Sequence, residues 1–129
     1  MTAYYLTTPI YYANDVPHIG HAYTTIAADA VARYHRLRGD DVFLLTGTDE
    51  HGVNIERIAA ERSVSPQEQV DAVAAVFVDL WTQFDIGYDR FIRTTAAAHR
   101  RAVLALWERL RASGDLYRGV YEGTYCPRC

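Results

Sequence analysis

The chain has 129 residues, half of them hydrophobic, with 13 basic and 16 acidic side chains and a formal net charge of −3. That composition suits one compact domain, and the charge excludes a basic DNA-coating module while leaving room for a local RNA contact. No apolar run reaches the roughly 18 residues of a membrane helix, no secretory leader is visible, and Cys126 and Cys129 are too close for a fold-wide disulfide framework, so a cytoplasmic setting is expected.

Tyr4 to Thr8, aromatic and β-branched, predicts a short strand. Pro9 ends it, because proline has no N–H for a ladder. Ile10 to Pro17 then reads as a loop, with Asn14, Asp15 and Pro17 as its turn chemistry. From Ile19 to about Arg38 the residues Ala22, Ile26, Ala27, Ala30, Val31, Tyr34 and Leu37 recur at helical spacing and predict one buried stripe, with Gly39 as the stop. Val42 to Leu45 is a continuous apolar run, expected to be a strand buried on both faces of a parallel sheet. A short helix carrying Ile55, Ile58 and Ala59 inward follows. Ser65, Pro66 and Glu68 form a capping box for another, with Val70, Val73, Ala74, Phe77, Leu80 and Phe84 as its apolar stripe. Phe91 to Thr94 predicts a third strand. Ala96 to Ala112 predicts a helix with Val103, Leu106, Trp107 and Leu110 inward and Gly114 closing it. Leu116 to Tyr125 alternates aromatic with small or polar residues, as one or two strands would. The basic run Arg90, Arg93, Arg100, Arg101, Arg109 and Arg111 reads first as a solvated helix face.

Two loops carry the chemistry. His18-Ile19-Gly20-His21 opens the first long helix, where unpaired N–H groups and the macrodipole attract phosphate. Gly20 permits close approach of a flat ligand, and the imidazoles add donors that can follow developing charge. Thr46-Gly47-Thr48-Asp49-Glu50-His51-Gly52 lies after the second strand. Either stretch alone has a plain structural explanation: two histidines at a helix start, or a turn with a helix cap. Both, however, fall at the carboxyl ends of strands in one βαβ unit, where open α/β sheets bind ligands. If the strands are neighbours, both loops should face one crevice. Tyr11 and Tyr12, next to the histidines, are candidates for packing or for lining a pocket.

The flanking residues are more specific. Thr7-Thr8-Pro9-Ile10-Tyr11-Tyr12, Pro17-His18-Ile19-Gly20-His21-Ala22-Tyr23 and Thr46 to Gly52 together resemble the N-terminal part of the methionyl-tRNA synthetase family, of class I. Glu122 to Cys129 resembles the entry to that family's zinc knuckle. The resemblance implies an α/β, Rossmann-like (HUP-type) parallel sheet with flanking helices, residues 1–115 being the first half of a catalytic domain and 116–129 the start of a zinc-knuckle insertion. It implies ATP-dependent activation of methionine, ATP arriving with Mg2+, then transfer to tRNA(Met). His18 and His21 would be catalytic and would contact ATP together with Gly20 and Gly47. Asp49 and the carbonyl of Ile10 would take the methionine ammonium, and Tyr12 would line the side-chain pocket. Glu50 and His51 would support these groups from behind.

Cys126 and Cys129 would be half of a tetrahedral Zn2+ site, although a CxxC pair can also be redox-active. The family's lysine-rich KMSKS loop is not among these residues, which include no lysine, so the chain by itself is expected to be inactive in aminoacylation. Two other functions remain open on sequence: a small nucleotidyltransferase using an HxGH motif, and a non-catalytic, synthetase-like binding chain.

Overall fold

The computed structural model describes residues 2–124. The elements run β1 (Ala3–Thr7), β2 (Tyr11–Tyr12), α1 (Ile19–Leu37), β3 (Asp41–Asp49), α2 (Val53–Glu61), α3 (Pro66–Gln83), β4 (Arg90–Arg93) and α4 (Ala97–Ser113). All strand pairs are parallel and all involve β3. The βαβ unit expected from the sequence is therefore present, with β1 beside β3 from Ala3↔Asp41 to Thr7↔Leu45.

Pro9 interrupts the edge strand without ending it. Thr8 still donates its N–H to the Leu45 carbonyl at 3.0 Å, and pairing resumes at Tyr11↔Thr48. Four steps along the edge, Thr7 to Tyr11, are matched by three along β3, Leu45 to Thr48. One extra residue is thus accommodated around the proline, as a bulge does. The region expected to be loop consequently contains β2. On the other side of β3, β4 pairs from Leu45↔Arg90 to Thr48↔Arg93.

Strand alternation divides the side chains between two faces. Tyr11, Leu44, Thr46, Thr48 and Phe91 share the face covered by helices. There Tyr11, Ala22, Ile55, Val70, Val73, Phe77 and Trp81 form the buried core. Tyr5, Phe43, Tyr12 and Asp49 share the other. Phe43 is 43% exposed and meets Tyr5 across the register at 5.9 Å between ring centroids. The expectation that this strand is buried on both faces is therefore corrected, because no described element covers the Tyr5–Phe43 face. β3 also runs four residues beyond Leu45. Its polar end is held by side chains: the Thr8 hydroxyl donates to that of Thr46 at 2.8 Å and the Thr48 hydroxyl to Glu50 at 2.6 Å.

The local signals at helix ends hold. Ser65 and Glu68 form the capping box, with Glu68 N–H to Ser65 Oγ at 3.2 Å and Ser65 N–H to Glu68 at 2.8 Å. Gly39 and Gly114, at φ +83° and +81°, terminate α1 and α4. Three expectations about buried faces fail. The buried side of α1 is Ala22, Thr25, Asp29 and Ala32, whereas Ile26, Val31, Tyr34 and Leu37 are exposed. Asp29 determines this orientation: it accepts from Arg33 Nε at 2.5 Å and from the Gly87 N–H at 2.8 Å, so α1 is tied to the chain leading into β4. Phe84 lies just past α3 and is exposed beside α1's apolar side. Val103, Leu106 and Trp107 of α4 are exposed too, Trp107 by 54%. Residues 116–124 contain no strand, against the alternation of aromatics there. Cys126 and Cys129 lie outside the described residues.

Candidate active site at the carboxyl edge of the sheet

His18 is the N-cap of α1 and, with His21, builds a capping box from two imidazoles. The Gly20 N–H donates to His18 Nδ1 at 3.1 Å, and the His18 N–H donates to His21 Nδ1 at 3.1 Å. The two rings stack at 3.7 Å between centroids with 26° between planes. Since each Nδ1 accepts, each neutral ring must carry its proton on Nε2. Neither Nε2 has a hydrogen-bond partner among the described residues, so the pair presents two N–H donors at a helix N-terminus.

The second ring is seated on the core. His21 packs 4.7 Å from Tyr11 and 5.3 Å, edge-on, from Phe77. Tyr11 is itself fixed by a 2.7 Å hydrogen bond between its hydroxyl and that of Thr25, one turn further along α1. Burial, and then the neighbouring His18, hold His21 below the usual histidine pKa, which keeps it a neutral donor. Gly20 leaves room for this arrangement: a Cβ there would meet His18 Cε1 at 2.9 Å. A cavity of about 470 Å³ opens beside the pair, lined by Tyr12, Asn14, Val16, Pro17, His18 and His21.

Asp49 ends β3 as the register partner of Tyr12. The adjacency expected from sequence is thus present, with two hollows along this edge of the sheet. Asp49 opens with His51 into a second cavity, of about 420 Å³, completed by Thr94, His99, Arg100 and Val103. Tyr12 stands at the junction. It lines the histidine cavity, shares a sheet face with Asp49, and its hydroxyl would lie 2.1 Å from a Cβ on Gly52. Gly52, at φ +138°, is confined to glycine on backbone grounds as well. Ile10 is exposed at the break in the edge strand. Gly47 is buried under β4, where a Cβ would meet the Ile92 carbonyl oxygen at 2.0 Å.

Behind Asp49 is a network that sequence reasoning did not assemble. The Glu50 carboxylate is fully buried and accepts from Thr48 Oγ1 at 2.6 Å, from Arg93 Nε at 2.6 Å and from the Thr95 hydroxyl. The Glu50 N–H donates to Thr94 Oγ1 at 2.9 Å. Arg93 also reaches Asp71 on α3 at 2.6 Å. Glu50 was expected to support its neighbours, and Thr48 is two residues away, but Arg93, Thr94 and Thr95 lie more than 40 residues away in sequence, where no local signal joins them. Arg100 was likewise read only as part of a solvated basic run, and His99 was not singled out.

Residues 4–129 match the family described as tRNA synthetases class I (M). The chain belongs to that family. It is 56% identical over 126 residues to a methionine–tRNA ligase of Caldanaerobacter subterraneus and 53% identical to one of Clostridium perfringens, covering 98% of this chain and 20% of each relative. The chain thus spans about a fifth of the length of the curated relatives it matches. It superposes with a TM-score of 0.86 and 46% identity on a Mycobacterium tuberculosis methionyl-tRNA synthetase in complex with methionyl-adenylate, covering 88% of this chain and 22% of that one. The parallel α/β architecture read from the sequence is therefore that of a class I methionyl-tRNA synthetase catalytic domain. These matches favour the synthetase reading over a small nucleotidyltransferase. Among the described residues no helix is long and apolar enough to cross a membrane.

Proposed function

We propose that these residues are the histidine-bearing part of a methionine–tRNA ligase, which activates methionine with ATP and passes it to tRNA(Met) in the cytoplasm. The observation that carries the proposal is the pair of free Nε2–H donors on His18 and His21, beside Tyr12 and one strand from Asp49. In the first step the methionine carboxylate attacks the α-phosphorus of ATP and pyrophosphate departs with the bonding electrons. The histidines donate to phosphate oxygens as charge builds there, which is where fixed donors lower a barrier most. Gly20 keeps the backbone open near the nucleotide, and Gly47 lets β4 close up against the end of β3 beside it. Asp49, with the Ile10 carbonyl, receives the methionine ammonium, and Tyr12 bounds the thioether chain, which must be selected by shape and apolar contact. The methionyl-adenylate held by the Mycobacterium relative supports this assignment of substrates.

Mg2+ would accompany ATP on its phosphates. Cys126 and Cys129 would supply two thiolates of a Zn2+ site, which needs two further ligands. The test is Asp49→Ala in the full-length protein. Methionine-dependent ATP–pyrophosphate exchange should show the methionine KM raised by about tenfold or more, with the ATP KM little changed. A rise in the ATP KM instead would reverse the assignment of the two loops. Failure of wild type to bind methionine or a methionyl-adenylate analogue by calorimetry would favour a non-catalytic chain.

A further inference from the structure

The two polar residues that flank Glu50 line one cavity; Glu50 borders another, beside Thr95 and the start of α3, with its carboxylate out of contact with solvent. Asp49 and His51 line the 420 Å³ cavity whose opposite wall is Thr94, His99 and Arg100. Glu50 between them has no solvent exposure of its side chain, yet none of its charge is stranded. One oxygen is shared by Thr48, at the end of β3, and Arg93, at the end of β4; the other is held by Thr95, just ahead of α4. The backbone of the same residue is pinned to Thr94. A single carboxylate therefore joins the strand that ends in Asp49 to the segment that forms the far wall of Asp49's cavity.

We infer that Glu50 is a positioning residue for Asp49, setting the distance between the carboxylate that takes the substrate ammonium and the Thr94–Arg100 wall. The inference rests on the proposed role of Asp49. Its physical basis is the stiffness of a buried, fully satisfied carboxylate. Each of its three donors is directional, and withdrawing one leaves a buried polar group unpaired. Arg93 completes the lock from the other side: its guanidinium donates to Glu50 and to Asp71, each at 2.6 Å, so its fork bridges the end of β3 and α3. Neither Glu50 nor Arg93 lines the histidine cavity. Loss of the lock should thus be felt at methionine and not at ATP.

The experiment is steady-state ATP–pyrophosphate exchange on the full-length protein, with thermal melting alongside. Glu50→Gln keeps the volume and one shared oxygen but cannot accept from all three donors as a carboxylate. Thr95→Val removes a single hydroxyl and no charge. Glu50→Gln should raise the methionine KM by about tenfold, and Thr95→Val by a few-fold, with the ATP KM within about twofold of wild type in both. A lowered melting temperature with both KM values unchanged would make the network purely structural and overturn the inference. Equal rises in both KM values would also overturn it. Should Glu50→Gln fail to fold, Thr95→Val alone decides. Asp49→Ala in the same assay separates the two claims. A selective methionine effect there, with none in the Glu50 and Thr95 variants, rejects the positioning role alone. No methionine effect at Asp49 rejects the underlying assignment.

Discussion

The imidazoles of His18 and His21 stack 3.7 Å apart while each gives its Nδ1 to a backbone N–H of the first turn of α1. Helix capping and ligand binding are therefore divided between the two nitrogens of each ring. The Nδ1 atoms satisfy donors that a helix start otherwise leaves unpaired, and the Nε2 atoms remain for an anion. Serine or asparagine could perform the first task, but neither could present a second, oppositely directed donor from the same rigid ring.

That division can be separated by mutation. His18→Asn retains an acceptor of the kind preferred at N-caps and removes the Nε2–H. Its melting temperature should stay close to wild type while the adenylation rate falls by about 10²-fold, the usual effect of deleting one fixed donor to a developing oxyanion. His18→Ala should lose the rate and also about 1 kcal/mol of stability. Equal melting temperatures for the two variants would show that the cap contributes nothing.

His21 titrates below its ordinary value because it is partly buried and faces His18. The unfolded chain therefore binds a proton at this site more readily than the folded one. Its contribution to stability is fully present above the unfolded value of about 6.5 and declines as pH falls from there through the folded pKa. Denaturant midpoints for wild type and His21→Gln, measured between pH 8 and pH 5, should converge towards the acid end. Parallel curves would mean that His21 carries no such linkage.

The order of strands and helices was legible because its signals are local: β-branched and aromatic runs, the Ser65–Glu68 box, the glycines at 39 and 114. The site was legible as two short motifs beside Pro9 and Gly52. What was not legible depended on distant partners. Thr46 and Thr48 do not look like buried strand residues until Thr8 and Glu50 are found to bond them. The apolar stripe of α1 does not indicate the helix's buried side, because Asp29, a charged residue, is what the fold draws inward. Periodicity in α4 identifies Val103, Leu106 and Trp107 as one face but not whether anything covers it. Glu50 and Arg93 are adjacent only after β3 and β4 pair.

The inward turn of Asp29 leads to a stability prediction. Its carboxylate satisfies the Gly87 N–H and braces Arg33, whose guanidinium also reaches Asp85. Asp29→Ala leaves a partly buried N–H without its acceptor and should lower stability by about 1 kcal/mol. Asp29→Asn keeps an acceptor for Gly87 and should recover part of that loss. Chemical denaturation of both variants checks the order; an Asn variant no better than Ala would place the whole effect in the Arg33 pair.

Two glycines of the signature stretches differ sharply in what surrounds them. At Gly47 a Cβ would meet the Ile92 carbonyl oxygen at 2.0 Å and its carbon at 2.8 Å. Both atoms are main chain of β4, in register with Gly47, so neither can move without parting the two strands. At Gly20 the obstacle is His18 Cε1 at 2.9 Å, the tip of a side chain that can rotate. Gly47→Ala should therefore cost about 3 kcal/mol or leave no folded protein, since overpacking against a fixed backbone is not relieved by rotamer changes. Gly20→Ala should fold with nearly normal melting, but its displaced His18 ring should slow adenylation. Circular dichroism melts paired with exchange assays distinguish the cases. If Gly47→Ala melts like wild type, the close approach of β4 cannot be the reason for glycine at that position, and access of ligand to the strand end would be the remaining explanation.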